Sequence, residues 1–207
     1  MQLPRRLRVL AKHLAYGGVG GGRDGERVVA WLRVQPGMRV ADIGSGFGEF
    51  AMRFAAAVGR EGMVYAVDTD ADLRAEVEAA ARRRGLAGTV QPVSASPDDA
   101  RLPEPVDLVF LSSSFHHIPD RERYFGRLRG RLRPGARVAV LEGRPGCLTG
   151  WFGHSTEPEA VRATMEAAGF RRLEREDIVR WASLQTFAPL DEAGVGPATA
   201  APTSPLS

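Results

Sequence analysis

Three stretches of this sequence hold the residue types that do chemistry. In Val40–Phe50, VADIGSGFGEF, Asp42 stands just ahead of alternate glycines, Gly44, Gly46 and Gly48; GMVYAVD ends in Asp68, followed by Thr69; and Leu111–Pro119, LSSSFHHIP, carries His116 and His117 in succession. Alternate glycines remove Cβ atoms, so the backbone can take positive φ and a ligand can lie against bare peptide at a helix N-terminus. An acid beside such a turn repels a pyrophosphate and attracts a cation. A carboxylate about twenty residues beyond the turn, closing the next strand, is placed to receive two ribose hydroxyls. Together these residues describe a pocket for a nucleoside with a positive group and no phosphates. A dinucleotide fits poorly, because the third small residue of its fingerprint is Glu49 here.

These residues resemble the class I S-adenosylmethionine-dependent methyltransferases, in the small bacterial UbiE-like branch. The resemblance lies in Asp42-Ile-Gly-Ser-Gly-Phe-Gly, in Asp68, in LSSSFHHIP, in RLRPGARVAVLEG and in STEPEAVRATMEAAGF, and so covers roughly Arg23 to Phe187. It implies that Gly44, Ser45 and Gly46 line the methionine end of S-adenosyl-L-methionine. Asp42 then lies near its amino group, through water or backbone, and Asp68 holds the ribose. Where the family often has an acid for the adenine amino group, the stretch reads Ala95-Ser96-Pro97-Asp98, so Ser96 or Asp98 takes that place. Gly48, Thr69 and Ser112 complete the expected cofactor set.

Methyl transfer from a sulfonium is an in-line displacement on an activated donor, so alignment supplies most of the acceleration. An acceptor hydroxyl, thiol or ammonium also needs a base, and histidine titrates near neutral pH. His116 and His117 follow the fourth strand, and since successive side chains diverge, one of them at most faces the methyl group. The alternative is a turn histidine bonded to backbone. Phe47 and Phe115 either present ring faces to the sulfonium or pack. Gly146–Ser155, GCLTGWFGHS, sets Trp151, Phe152 and His154 among glycines, either as an apolar element over the acceptor or as a packed connection. No Asn-Pro-Pro-Tyr follows strand four, which counts against planar amino groups of nucleobases or glutamine. The expected function is methylation of a small molecule at oxygen, nitrogen or carbon. The alternatives are a membrane-associated lipid or quinone methyltransferase of the same fold and a non-catalytic S-adenosylmethionine-binding protein.

The elements that position these groups alternate. Strands are expected at Met38–Ile43, Met63–Asp68, Val90–Ser94, Val106–Ser112 and Arg137–Glu142, with helices at Asp24–Val34, Phe47–Val58, Asp70–Arg84 and Asp120–Leu132. Thr156-x-x-Glu159 reads as a capping box opening a helix to Ala168, and strands near Arg171–Asp177 and Trp181–Phe187 close the domain as a hairpin. This is an α/β fold: a doubly wound, mostly parallel, seven-stranded Rossmann-like sheet with an antiparallel C-terminal hairpin.

The division expected is a basic amphipathic helix and glycine-rich hinge over 1–22, the methyltransferase domain over 23–188 and a disordered tail over 189–207. The first segment places Leu3, Leu7, Leu10 and Leu14 on one stripe, suited to packing on the domain, capping the pocket or touching an anionic membrane surface. With 207 residues, 43% of them hydrophobic and 26% charged, the chain has the make-up of one soluble domain. The basic N-terminus lacks an apolar core, so no secretory signal is expected and the location expected is cytoplasmic. Cys147 is the only cysteine, which leaves no intrachain disulfide, and no metal is expected. Lys12 is the only lysine, and the arginines alternate with acids, as in Arg171–Asp177; that mixture describes a solvated face rather than a nucleic-acid footprint. A monomer or homodimer acting on a small-molecule acceptor is expected.

Overall fold

The computed structural model describes residues 4, 7–9, 22–143, 155–179 and 182–190. In chain order these form α1 (Gly22–Trp31), β1 (Arg39–Ile43), α2 (Glu49–Val58), β2 (Met63–Asp68), α3 (Ala71–Arg83), β3 (Val90–Ser94), β4 (Val106–Ser112), a 3-10 turn (Phe115–His117), α4 (Arg121–Arg129), β5 (Leu132–Gly143), α5 (Pro158–Ala167), β6 (Phe170–Val179) and β7 (Ala182–Pro189). The strands make one sheet in the order β3-β2-β1-β4-β5-β7-β6. Only β7 runs against its neighbours, pairing antiparallel with both β5 and β6. The architecture expected from the sequence is the one found.

Winding starts at β1, runs outward through β2 and β3, then returns to the other side of β1 with β4. The strand order therefore reverses between β1 and β4, and ligands in open α/β sheets bind at the carboxyl ends beside that reversal. Asp42, Asp68, Ser112 and Glu142 all stand at or near carboxyl ends of strands.

Alternation along the central strands divides the core in two. Val40, Leu108 and Phe110 face the α1–α2–α3 layer. Ala41, Ile43, Val109 and Leu111 face the layer of α4 and α5. Phe50 and Phe54, four apart on α2, set their rings 6.1 Å from each other and 4.6 and 5.1 Å from Phe110 of β4. Edge-tilted aromatic contacts of this kind add about 0.5–1.5 kcal/mol each to simple burial. They pin the start of α2 to the middle of the sheet and so fix the glycine turn that precedes it.

Several boundaries differ from the sequence reading. Helix α4 stops at Arg129 and β5 begins at Leu132, because Val106 pairs with Leu132 ahead of a register shift and its N–H donates to the Arg131 carbonyl. The capping box does not form. Helix α5 starts with Pro158 after Glu157, with no side-chain cap, since proline's fixed φ already suits the first helical position. Glu159 turns to Arg162, Arg172 and Arg175 instead. Strand β7 runs on to Pro189, and the Leu190 N–H donates to Gly169. Of the N-terminal stripe, Leu7 is half exposed while Arg8 forms a two-point ion pair with Asp72 at 2.9 and 3.0 Å. Leu3, Leu10 and Leu14 lie outside the described residues, as do 191–207. Among the described residues no helix is long and apolar enough to cross a membrane.

Candidate functional site

The glycine turn is built so that two of its three glycines face protein and one faces open space. All three have positive φ: 73° at Gly44, 54° at Gly46 and 78° at Gly48. A Cβ on Gly44 would stand 2.4 Å from the Ser114 Cβ, and one on Gly48 would stand 3.0 Å from Val77. A Cβ on Gly46 would meet nothing within 4 Å. The turn is drawn to the second strand by the Gly44 and Ser45 N–H groups, which both donate to the Val67 carbonyl. On the other side the Ser114 hydroxyl donates to the Ile43 carbonyl at 2.8 Å.

Asp42 is 2% exposed. It accepts the Ala51 N–H from the first turn of α2, while its Oδ2 has no hydrogen-bond partner. Burial, with a minor contribution from nearby Asp68, pushes its carboxyl up to about 7. Ser45 Oγ and Ser112 Oγ are likewise buried without a partner. Buried polar atoms are rarely left unbonded, since each such group is costly. Here three of them surround one turn, beside a glycine whose open face a side chain would fill. The donor and acceptor set suits a group with an ammonium and hydroxyls, while the guanidinium beside it, Arg74, donates to the Asp68 carbonyl at 2.9 Å, so these residues fit the methionine and ribose portions of S-adenosylmethionine.

Asp68 is half-buried and carries the turn's other link. Its Oδ2 accepts the Gly46 N–H at 3.0 Å and its Oδ1 the Asp70 N–H at 2.9 Å. Each carboxylate oxygen retains a lone pair for a hydroxyl. Burial raises this carboxyl too. Thr69, beside it, is exposed. Ser96 donates to Asp98 at 2.7 Å, and Asp98 also pairs with Arg127 at 3.1 Å. The two adenine candidates therefore stand together at the end of β3, with Asp98 held toward α4.

The two histidine side chains do not diverge as expected, since their ring centroids stand 4.1 Å apart, but their burial differs. His117 is exposed, whereas the His116 side chain is 10% exposed and its Nδ1 lies 3.0 Å from Glu142 Oε2 and 3.3 Å from Oε1. Glu142, 2% exposed near the end of β5, also accepts the Phe115 N–H at 2.9 Å. Ser113 just before the 3-10 turn has φ 49°. A non-glycine residue in that region stores strain of order 1–3 kcal/mol, and such residues gather at functional sites.

One expected role is corrected. Phe115 is fully buried, stacked on Phe125 at 5.5 Å between centroids, so its ring serves the core and presents no face to a ligand. Phe47 is half-buried beside the turn. Trp151, Phe152 and His154 lie outside the described residues. Two partners escaped the sequence reading, Glu142 and Ser114. Glu142 carried a usable sign: like Asp42 and Asp68, it is an acid at the carboxyl end of an apolar strand, in ARVAVLEG.

The raised carboxyls predict how stability varies with pH. A folded-state value of about 7 for Asp42 against 3.8 in the unfolded chain means the folded state holds the proton longer. Stability contributed by this proton is present below about pH 4 and is lost as pH rises to about 7, by at most about 4 kcal/mol at 1.36 kcal/mol per unit. Asp42→Asn is expected to flatten most of that decline in thermal melts from pH 4 to 8, with the share from Asp68 remaining. A variant profile as steep as the parent's would show that Asp42 is not the proton's holder.

Comparison with known proteins finds methyltransferases similar to this chain. Residues 40–135 match the model of the methyltransferase domain family. The ubiquinone/menaquinone biosynthesis C-methyltransferase UbiE of Vibrio vulnificus (strain YJ016) is 28% identical over 109 residues, covering 52% of this chain and 42% of the relative. This chain thus matches less than half the length of that relative. Among solved structures, an S-adenosylmethionine-dependent methyltransferase from Aquifex aeolicus has a TM-score of 0.73 at 19% identity, covering 90% of this chain and 98% of that one. The CcbJ methyltransferase of Streptomyces caelestis has a TM-score of 0.69 at 14% identity, covering 85% and 94%.

Proposed function

We propose that this chain, whose residues 40–135 match the methyltransferase domain family, is a class I S-adenosylmethionine-dependent methyltransferase and methylates a small-molecule acceptor that must lose a proton, first of all a hydroxyl. The observation that supports this reading is the buried His116–Glu142 pair. A carboxylate only accepts hydrogen bonds, so Nδ1 carries the imidazole proton and the lone pair sits on Nε2. That tautomer suits a general base, and Glu142 stabilises the imidazolium that results. An amine that is already neutral near pH 7, such as an aniline, is nucleophilic as it stands and gains little from such a pair. A hydroxyl is not.

When bound, S-adenosylmethionine supplies an already activated methyl group for in-line displacement. Gly46, Ser45, Asp42, Asp68 and Ser112 would hold it against the edge of β1, β2 and β4. The rest of the work falls to the chain's own residues. His116 takes the acceptor's proton, Glu142 holds the ring, and the fixed distance between the ends of β1 and β4 keeps nucleophile and methyl aligned.

A second reading is favoured by the matched relative, whose name describes a C-methyltransferase of quinone biosynthesis. A ring carbon made nucleophilic by loss of a phenolic proton would use the same histidine. Both readings are tested by incubating the full chain with methyl-labelled S-adenosylmethionine and matched acceptors: a phenol, its methyl ether, an aniline and a thiol. Label is expected in the phenol and absent from the ether, and fragmentation of the product distinguishes oxygen from carbon. Tight cofactor binding with no label in any acceptor would favour the non-catalytic binding protein. Label in the aniline alone would remove the need for a base.

A further inference from the structure

The 3-10 turn that carries His116 has three residues and is closed by two backbone hydrogen bonds, His117 N–H to Ser114 and Ile118 N–H to Phe115, at 3.1 and 3.2 Å. So short a segment has little to hold its own shape. It is held from outside on three sides. Glu142 takes the Phe115 N–H. Phe125 stacks on the Phe115 ring. On the third side Arg121 donates from Nε to the Phe115 carbonyl at 3.0 Å and from Nη2 to the His116 carbonyl at 3.1 Å. The guanidinium carbon is 5.2 Å from the centroid of the Phe115 ring. Arg121 is itself the first residue of α4, directly after Asp120, whose side chain accepts the Arg123 N–H and fixes the helix start.

We propose that Arg121 is a positioning residue for His116: its guanidinium spans two successive carbonyls and sets the rotation of the turn, and with it the direction in which the imidazole meets the acceptor. The inference rests on the reading of His116 as the base. A planar fork holds both carbonyls in one fixed geometry, which the ammonium of lysine, a point charge on a flexible stem, does not. Arg121 touches neither reacting atom. Its influence is on the alignment of the base, where a displacement of about 1 Å can change a rate by about a hundredfold.

Full-length Arg121→Ala and Arg121→Lys are to be compared with the parent for kcat, KM of each substrate, cofactor Kd and melting temperature, using the phenolic acceptor and labelled donor. In both variants kcat is expected to fall about tenfold or more while cofactor Kd stays within about twofold, the pattern of a loss confined to the transition state. Millimolar guanidinium is expected to restore part of the Arg121→Ala rate, a recovery that a general loss of folding does not show. The inference is overturned if Arg121→Lys has the parent's kcat, or if the Arg121→Ala loss follows its melting temperature and guanidinium leaves it unchanged. His116→Gln is run alongside. If that variant keeps the parent's kcat, the reading of His116 as base fails. If it is inactive while both Arg121 variants keep kcat, the role of Arg121 alone is refuted.

Discussion

Replacing His116 by glutamine is expected to lower kcat by about 10² to 10⁴-fold, the usual contribution of a positioned base, while cofactor affinity stays within about twofold. Glutamine preserves size and polarity but has no lone pair able to take a proton near neutral pH. The sharper sign is in the choice of acceptor. A more acidic phenol ionises without help, so the variant's deficit is expected to shrink as acceptor acidity rises, whereas a merely misfolded enzyme would lose all acceptors alike. Glu142→Gln is expected to fall in the same direction with a smaller loss. Its amide retains an oxygen for the Phe115 N–H but also offers an N–H to the imidazole, which turns the tautomer. The assignment is abandoned if His116→Gln turns over phenols of every acidity at the parent's rate.

Gly44→Ala and Gly46→Ala are expected to fail in opposite ways although the residues are two apart. At Gly44 the new methyl would stand 2.4 Å from the Ser114 Cβ at a φ of 73°. Strain of about 1–3 kcal/mol from the backbone and about 1–3 kcal/mol from overpacking then combine. A loss of roughly 3–5 kcal/mol in urea unfolding is the expected result, and cofactor affinity cannot be measured apart from it. At Gly46 nothing lies within 4 Å. Only the backbone cost of about 1–2 kcal/mol remains, yet the methyl enters the space assigned to the cofactor, and calorimetry with S-adenosylhomocysteine is expected to show affinity reduced by more than about tenfold, or about 1.4 kcal/mol. Equal stability losses at the two positions, or undiminished affinity at Gly46, would contradict this division.

What the sequence made legible was local. Apolar residues of β1 giving way to alternate glycines, then Phe50, Phe54 and Val58 at spacing four, specify strand, turn and helix within twenty residues. Asp42 and Asp68 follow because strand ends are readable from where apolar runs stop. What it hid was pairing across the fold. Ser114 is seventy-one residues from Ile43 and Glu142 twenty-six from His116, and no spacing rule links residues on different strands. The two roles open to Phe115 could not be told apart, because an aromatic next to a histidine looks the same whether its ring turns outward or joins Phe125. The capping box was misread for a similar reason: the pattern is correct locally, but three arginines compete for Glu159. Near His116 the sequence could offer residue types, and only the arrangement of β4, β5 and α4 shows which of them meet.

The close approach of Ser114 to Gly44, and its hydroxyl on Ile43, fasten the glycine turn to the segment that leads from β4 into the 3-10 turn of His116. The two halves of the proposed reaction centre thus form one mechanical unit, with their separation fixed by the framework and not by either guest. Such a unit tolerates change around its rim: a lineage can exchange one acceptor for another without having to readjust the distance over which the methyl group travels.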